Sequence, residues 1–410
     1  MLIGWGSHVP SEALRDSDIV LVGAARTPFA RFGGVLAPLS IPELARHAIA
    51  AALARAGVEP TDVDELALGV NLPGSDRSLA RQALLHAGIP TDRVAYTVDR
   101  ACCSSLAAIT LASRSLRLGE SAIAVAGGAE NMSRVPYFLE GLRFGERLGD
   151  VVLKDQLVIS CPYTGVPRAQ QAADEAARFD IGRDQQDEFA LRSQHLYAKA
   201  KARGDLIAEI APITLDNGVA LADDEGPRAD TTLEKLAALP TVNGSSTVTA
   251  GNAPGLSTGA SAVVLTTRAE ARRRGLTPIA TLVATAMASG HPAEIASIPA
   301  VSATKVLARA GMKLDEMDVI ELNEAFAALP LVATAVLGAG DAACVQRLRA
   351  RLNLNGGAIA IGHPTGATAA RLVMTAAFAL ARRGGGHALV SICGGIGEAE
   401  AAVIRVDGAN

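Results

Sequence analysis

The sequence is short of several residue classes, and each shortage argues against a class of function. Cysteine occurs only five times in 410 residues, an odd number with no evenly spaced framework and no CxxC pair. That argues against a disulfide scaffold or a structural zinc site and for reduced thiols in a cytosolic setting. Aromatic residues make up 3% and the formal net charge is -4. Nucleic-acid binding needs a basic face and stacking rings, so the composition argues against it. A small anionic ligand needs only a local site and stays open. Long apolar runs are also missing: none approaches the roughly 18 residues that cross a bilayer. The start, "MLIGWGSHVPSEALRD", has no basic region ahead of an apolar core. The expectation is a cytoplasmic protein with no membrane span, no metal and no permanently bound cofactor.

What is present is apolar and repeated. With 49% hydrophobic and 20% charged residues, the chain can bury a large core and fill more than one domain. The string "LARAG" occurs at Leu53 to Gly57 and again at Leu307 to Gly311, each followed, after six residues, by an aspartate (Asp64, Asp318) that opens a strand-like run. An Ile-Pro pair precedes each copy, at Ile41-Pro42 and Ile298-Pro299. Ser40 and Glu43 make a capping box for the first helix, and Gly57 supplies its stop. "SAIAVAGGAENMS" and "HALVSICGGIGEAEA" are a further pair, each an apolar strand running into a Gly-Gly corner. The same order of elements in both halves implies a duplication. Strands alternate with helices and lack strict period-two patterning, which predicts an α/β fold with a parallel or mixed sheet covered by helices. The expected boundaries are an N-terminal extension at 1–17, a first half at 18–133 and 249–276, an inserted, more charged region at 134–248, and a second half at 277–410.

The duplication bears on the adjacent cysteines of "VDRACCSSLAAI". Packing, bridging and nucleophilic roles are all open to a cysteine there. Cys102 lies where a strand of the first half meets a helix beginning near Ser104, and His363, in "NLNGGAIAIGHPTGATAARL", lies at the equivalent corner of the second half. Two related halves packed about a pseudo-twofold axis would bring both to one cleft. A helix start favours a thiolate there, and an imidazole can take the proton. Cys393, in "SICGGIG", ends the last apolar strand beside glycines, where a second thiol could serve as acid or base.

These stretches, with "GGAENMS", "TVTAGNAPGLSTGASAVVL", "ELNEAFAA" and "SICGGIGEAEAAVI", resemble the thiolases, a family of acyl-CoA acyltransferases, over nearly all of residues 18 to 408. The resemblance implies two duplicated βαβαβαββ halves in α-β-α-β-α layers, with a CoA-binding loop domain inserted in the first. It also implies acyl-CoA and CoA as partners and a homodimer or homotetramer. By motif, Cys102 resembles the acylated nucleophile, His363 the base that activates it, and Cys393 the thiol that moves the α-proton. Asn323 of "NEAF" resembles the residue that positions a water, and Cys102 and Gly395 are expected to offer backbone N–H groups to a second oxyanion. Cys103 falls where Ser or Gly is usual and is read as packing. Arg228 falls where an arginine sits near the nucleotide end of CoA.

The chain also departs from the family pattern. Pro254 replaces a usual serine that contacts pantetheine, "EIASIPA" lacks a Gly-Pro often found before the second-half helix, and the corner after Cys393 is short. Arg168, in "VPRAQ", stands near a position often held by an apolar residue of the acyl pocket. The expected activity is acyl exchange between 3-ketoacyl-CoA plus CoA and acyl-CoA plus acetyl-CoA through an acyl-cysteine, in either direction. Alternatives are a ketosynthase-type condensing enzyme, which typically needs two histidines, and a catalytically impaired CoA-binding protein, which would lack Cys102, His363 or Cys393.

Overall fold

The computed structural model describes residues 14–158 and 160–408. Most of the expected N-terminal extension lies outside the described residues. The main strands are β1 (Ile19–Arg26), β2 (Glu65–Gly69), β3 (Val94–Val98), β4 (Ile123–Asn131), β5 (Ser257–Thr267), β6 (Ala280–Ser289), β7 (Val319–Leu322), β8 (Gly386–Cys393) and β9 (Glu398–Val406). They run β7-β8-β9-β6-β1-β5-β4-β2-β3 across one sheet. Read outward from the β1/β6 seam, both directions give the same pattern: two antiparallel pairings, then a parallel one. β3 continues one side in parallel to β2, and an isolated parallel bridge from Ile320 to Leu352 stands in its place on the other.

The helices that matter here are α1 (Ile41–Ala56), α2 (Leu79–His86), α3 (Ser104–Leu118), α4 (Arg168–Ala177), α5 (Arg183–Ala202), α6 (Ile298–Ala310), α7 (Ala328–Leu337) and α8 (Thr365–Arg382). In α1, Leu44, Ala45, Ala48, Ile49, Ala52 and Leu53 share one stripe and are buried, each large side chain contributing about 1.5–3 kcal/mol. The Ser40/Glu43 capping box forms, and Gly57 ends the helix at φ 66°. The repeat helix α6 ends the same way at Gly311, but it is capped differently. The Glu175 carboxylate, from α4, accepts the Ala296 and Ser297 N–H groups at 2.7 and 3.0 Å.

Three apolar layers separate these elements. One lies between α1 and α2 and the first half of the sheet, a second holds α3 and α8 between the two halves, and a third packs α6 and α7 on the other side. The arrangement is the expected α-β-α-β-α. The central helix α8 is buried on nearly every face from Thr365 to Leu380, which its small and apolar composition permits. Its first turn presses on β4 so closely that a Cβ at Gly128 would collide with the Gly366 carbonyl. The segment 134–248 carries α4 and α5 and only two-residue strands.

Candidate active site

The two corners meet, but only the first joins a strand to a helix: His363 follows a short helix, Ala358–Ile361, and Gly362, and stands just before α8. After β3 the chain turns through Ala101, a non-glycine residue in the left-handed region at φ 49°, a conformation that costs about 1–2 kcal/mol. Side chains hold it there: the Asp99 carboxylate accepts the Ala101 N–H at 2.9 Å, and Ser104 Oγ accepts the Arg100 N–H at 2.9 Å. The turn aims Cys102 at the start of α8, where its Sγ lies 3.3 Å from His363 Nε2. Cys103 points the other way, is fully buried, and donates its thiol to the Ile392 carbonyl at 3.4 Å.

The hydrogen-bond network assigns the imidazole tautomer. Thr368 Oγ1 donates to the Pro364 carbonyl at 2.9 Å, so it accepts from His363 Nδ1 at 2.7 Å. The Nε2 lone pair therefore faces Cys102. Asn323 Nδ2 reaches the same Nε2 at 3.2 Å, while its Oδ1 is buried without a hydrogen-bond partner among the described residues. The His363 N–H donates to Ser257 Oγ at 3.1 Å, which fixes the loop.

Electrostatics makes this a neutral pair. Burial, with a smaller contribution from the Arg371 charge, lowers the His363 pKa to about 3. Burial pushes the Cys102 thiol well above its ordinary value, and Cys393 and Glu130 add to the effect while Arg168 opposes it. The expectation of a thiolate favoured by the helix start gives way to burial, which dominates and keeps the thiol protonated. The N–H groups of Cys103 and Ser104 are also already bonded to the Arg100 and Ala101 carbonyls. Cys393, at the end of β8, is raised to about 11 by burial, against the pull of the Gly395 N–H and Arg168.

Cys102, His363, Cys393 and Gly395 line one cavity of about 350 Å³, with Met132, Leu157, Leu256, Ile295, Phe326 and Leu329 forming apolar walls. Asn323 joins through His363. Gly395 has φ 80°, in the left-handed region that favours glycine, and its N–H is near enough to Cys393 to lower that thiol's pKa. Arg228 does not reach this cavity. It lines an adjoining one of about 200 Å³ together with Arg31, and Leu256 borders both. Pro254 borders neither, although its neighbours Ala253 and Gly255 line the second. Sequence reading did not single out Thr368, Ser257 or Glu130. Glu130, on β4, accepts from Asn71 N, Leu72 N, Gly366 N and Thr365 Oγ1 and so pins the start of α8. Thr368 lies one helical turn beyond His363 inside a quoted stretch, which was its only signal.

Two family descriptions match in tandem: "Thiolase, N-terminal domain" over residues 19–269 and "Thiolase, C-terminal domain" over residues 276–406. The chain belongs to the thiolase family. This thiolase is 39% identical over 394 residues to an acetyl-CoA acetyltransferase of Cupriavidus necator, covering 93% of this chain and 98% of the relative. It is 40% identical over 401 residues to a beta-ketoadipyl-CoA thiolase of Acinetobacter baylyi, covering 94% and 98%. Human mitochondrial 3-ketoacyl-CoA thiolase in complex with CoA superposes with a TM-score of 0.89 at 34% identity, covering 97% of this chain and 100% of that one. The fold is thus the thiolase fold, and the protein is a thiolase acyltransferase. No helix among the described residues is long and apolar enough to cross a membrane.

Proposed function

We propose that this thiolase interconverts 3-ketoacyl-CoA plus CoA with acyl-CoA plus acetyl-CoA through an acyl group on Cys102. The observation that carries the assignment is the 3.3 Å approach of Cys102 Sγ to the His363 Nε2 lone pair, in a cavity that also holds Cys393. In the thiolytic direction His363 takes the Cys102 proton as the sulfur attacks the 3-keto carbon. The C2–C3 bond breaks, the acetyl-CoA enolate leaves, and Cys393 protonates its α-carbon. Free CoA then gives its proton to the Cys393 thiolate and attacks the acyl-Cys102 thioester; the Cys102 sulfur leaves and takes its proton back from His363, so acyl-CoA is released and both thiols and the neutral imidazole are restored. Condensation is the reverse.

Negative charge arises on two oxygens. The Cys102 and Gly395 N–H groups are assigned to the oxygen of the carbon under attack. His363, together with a water positioned by Asn323, is assigned to the enolate thioester oxygen. One strong donor in such a place is worth about 3–4 kcal/mol. Arg228 and the segment around Pro254 are assigned to the nucleotide and pantetheine parts of CoA, supported by the second cavity's two arginines and its shared border at Leu256. CoA is here a substrate, with no permanent cofactor or metal assigned.

The same reading divides the chain into halves at 18–133 with 249–276 and at 277–410, with 134–248 as the CoA-binding insertion. It places a homodimer or homotetramer in the cytoplasm, in fatty acid metabolism. The test is to mix the enzyme with CoA and a ladder of 3-ketoacyl-CoA lengths and follow the enolate absorbance. Its decay, with acyl label on the Cys102 peptide in quenched samples, is expected; no decay at any length, or label on Cys103, overturns the assignment.

A further inference from the structure

Of the described residues that line the catalytic cavity, Arg168 alone carries a charge. It is set among Leu157, Ile295, Phe326, Leu329 and Ile396, and no Asp or Glu lies within ion-pair distance of it among the described residues. Its placement is built. Gln171, whose amide donates to Thr164 Oγ1 at 3.0 Å, turns Oε1 to accept Arg168 Nη1 at 3.1 Å. The guanidinium also helps Thr164 hold the nearby Cys161 thiol down at about 6, and its Nε lies 3.7 Å from where a Cβ on Gly395 would stand. A guanidinium has five N–H donors, so these contacts leave donors over.

Beyond the Cys161 sulfur, two features leave the position short of negative charge. Arg168 opens the ten-residue helix α4, whose first turn has no acidic residue, and the positive end of a helix disfavours a cation. The surrounding walls are mostly apolar and supply no carboxylate to the half-buried guanidinium. An anion brought by the substrate would relieve both.

The part of the substrate that reaches this cavity is the acyl chain, because both reacting sulfurs are here, while the cations suited to the nucleotide phosphates, Arg31 and Arg228, line the adjoining cavity. We infer that Arg168 is a specificity residue that receives a carboxylate at the far end of the acyl chain, so that the preferred substrates are CoA thioesters of dicarboxylic acids. The inference rests on the thiolase reading above and deepens it. A planar guanidinium fits a carboxylate in a two-point contact, and such charge-assisted pairs are the strong ones.

The experiment compares affinities by calorimetry, using Cys102→Ala protein to prevent turnover, for succinyl-, adipyl- and suberyl-CoA against butyryl-, hexanoyl- and octanoyl-CoA. At one or more lengths the carboxylated thioester is expected to bind about 10- to 100-fold tighter. Arg168→Met and Arg168→Gln, each in the same background, are expected to bring that ratio close to one; either variant suffices, and only the ratio is scored. A ratio near one at every length in the Arg168 protein, or a ratio that survives both substitutions, overturns the inference. Thiolysis is measured separately on the unsubstituted chain. A clear ratio without any thiolysis would sink the proposed function and leave Arg168's role standing, whereas thiolysis without a ratio would do the opposite.

Discussion

A thiol pushed up by burial and an imidazole pushed down by burial cannot exchange a proton cheaply before substrate arrives. Cys102 is well above its ordinary value and His363 is at about 3, so the resting pair is neutral and the proton moves as the sulfur attacks. Alkylation reads this directly, because iodoacetamide reacts with the thiolate. With the Cys102 pKa raised, its labelling rate should still be climbing where an ordinary thiol, at 9.0, would be levelling off. A plateau near neutral pH, read by peptide mass spectrometry, would mean a resting thiolate and contradict the neutral pair. His363 sets the opposite limb. Its folded pKa lies below its ordinary 6.5, so the unfolded chain binds the extra proton first, and stability is lost as pH falls from 6.5 toward 3. Substitution separates the adjacent cysteines: Cys102→Ala should abolish acyl labelling and turnover, while Cys103→Ala, which loses only a buried thiol contact to Ile392, should keep most activity. Thr368→Val removes the acceptor that fixes the Nδ1–H tautomer and should lower kcat by roughly 10- to 100-fold with little change in KM. An unchanged kcat would show that packing alone orients the ring.

Elements carried more of the legible signal than side chains did. The repeated "LARAG" and Ile-Pro pairs marked α1 and α6, because an αL glycine stop and a proline in the first turn are local devices that leave a trace in sequence. The α6 cap left none, since Glu175 arrives from a helix some 120 positions away in the chain. The same limit applied to the site. Cys102, His363 and Cys393 were found because each sits at a strand end next to glycines or a helix start. Glu130 and Ser257 act through contacts that only the fold creates, and the strength of burial at Cys102 was not visible in its neighbours. The glycine of "GGAENMS" is the instructive case. Gly128 reads as a corner in sequence, but in the structure it is a mid-strand position that lets α8 lie directly on β4. Gly128→Ala should therefore destabilise the protein by about 1–3 kcal/mol through overpacking and, by moving the Gly366 turn, lower kcat as well. Urea unfolding and thiolysis measured together check it; a loss of stability with normal kcat would mean that the strain relaxes away from His363.

For the whole molecule, the buried charge of Arg26 ties three regions to one point. Arg26, at the end of β1, donates to Glu209 Oε1 at 2.9 Å and to Asp224 Oδ1 at 2.6 Å, and all three side chains are withdrawn from water. Tyr197 of α5 donates to Asp224 at 3.1 Å, and Thr375 of α8 donates to Glu209 at 2.7 Å. One cluster thus joins a strand of the first half, the segment that carries α5, and the central helix of the second half. Asp224 also stands just before Gly226 to Arg228, which line the cavity assigned to CoA. Removing the cation alone would leave two carboxylates buried and unpaired, which typically costs about 3–5 kcal/mol. Arg26→Met should therefore lower the urea midpoint sharply, and protease should cut between residues 205 and 230 before global unfolding. CoA affinity should fall with it, since the loop bearing Arg228 loses its anchor. Replacing Arg26, Glu209 and Asp224 together by apolar residues of similar volume should cost less than Arg26→Met by itself, because no charge is then stranded. If the triple variant is the less stable of the two, the cluster stabilises by its own attraction, and the anchoring of the CoA loop would have to be sought in Tyr197 and Thr375 instead.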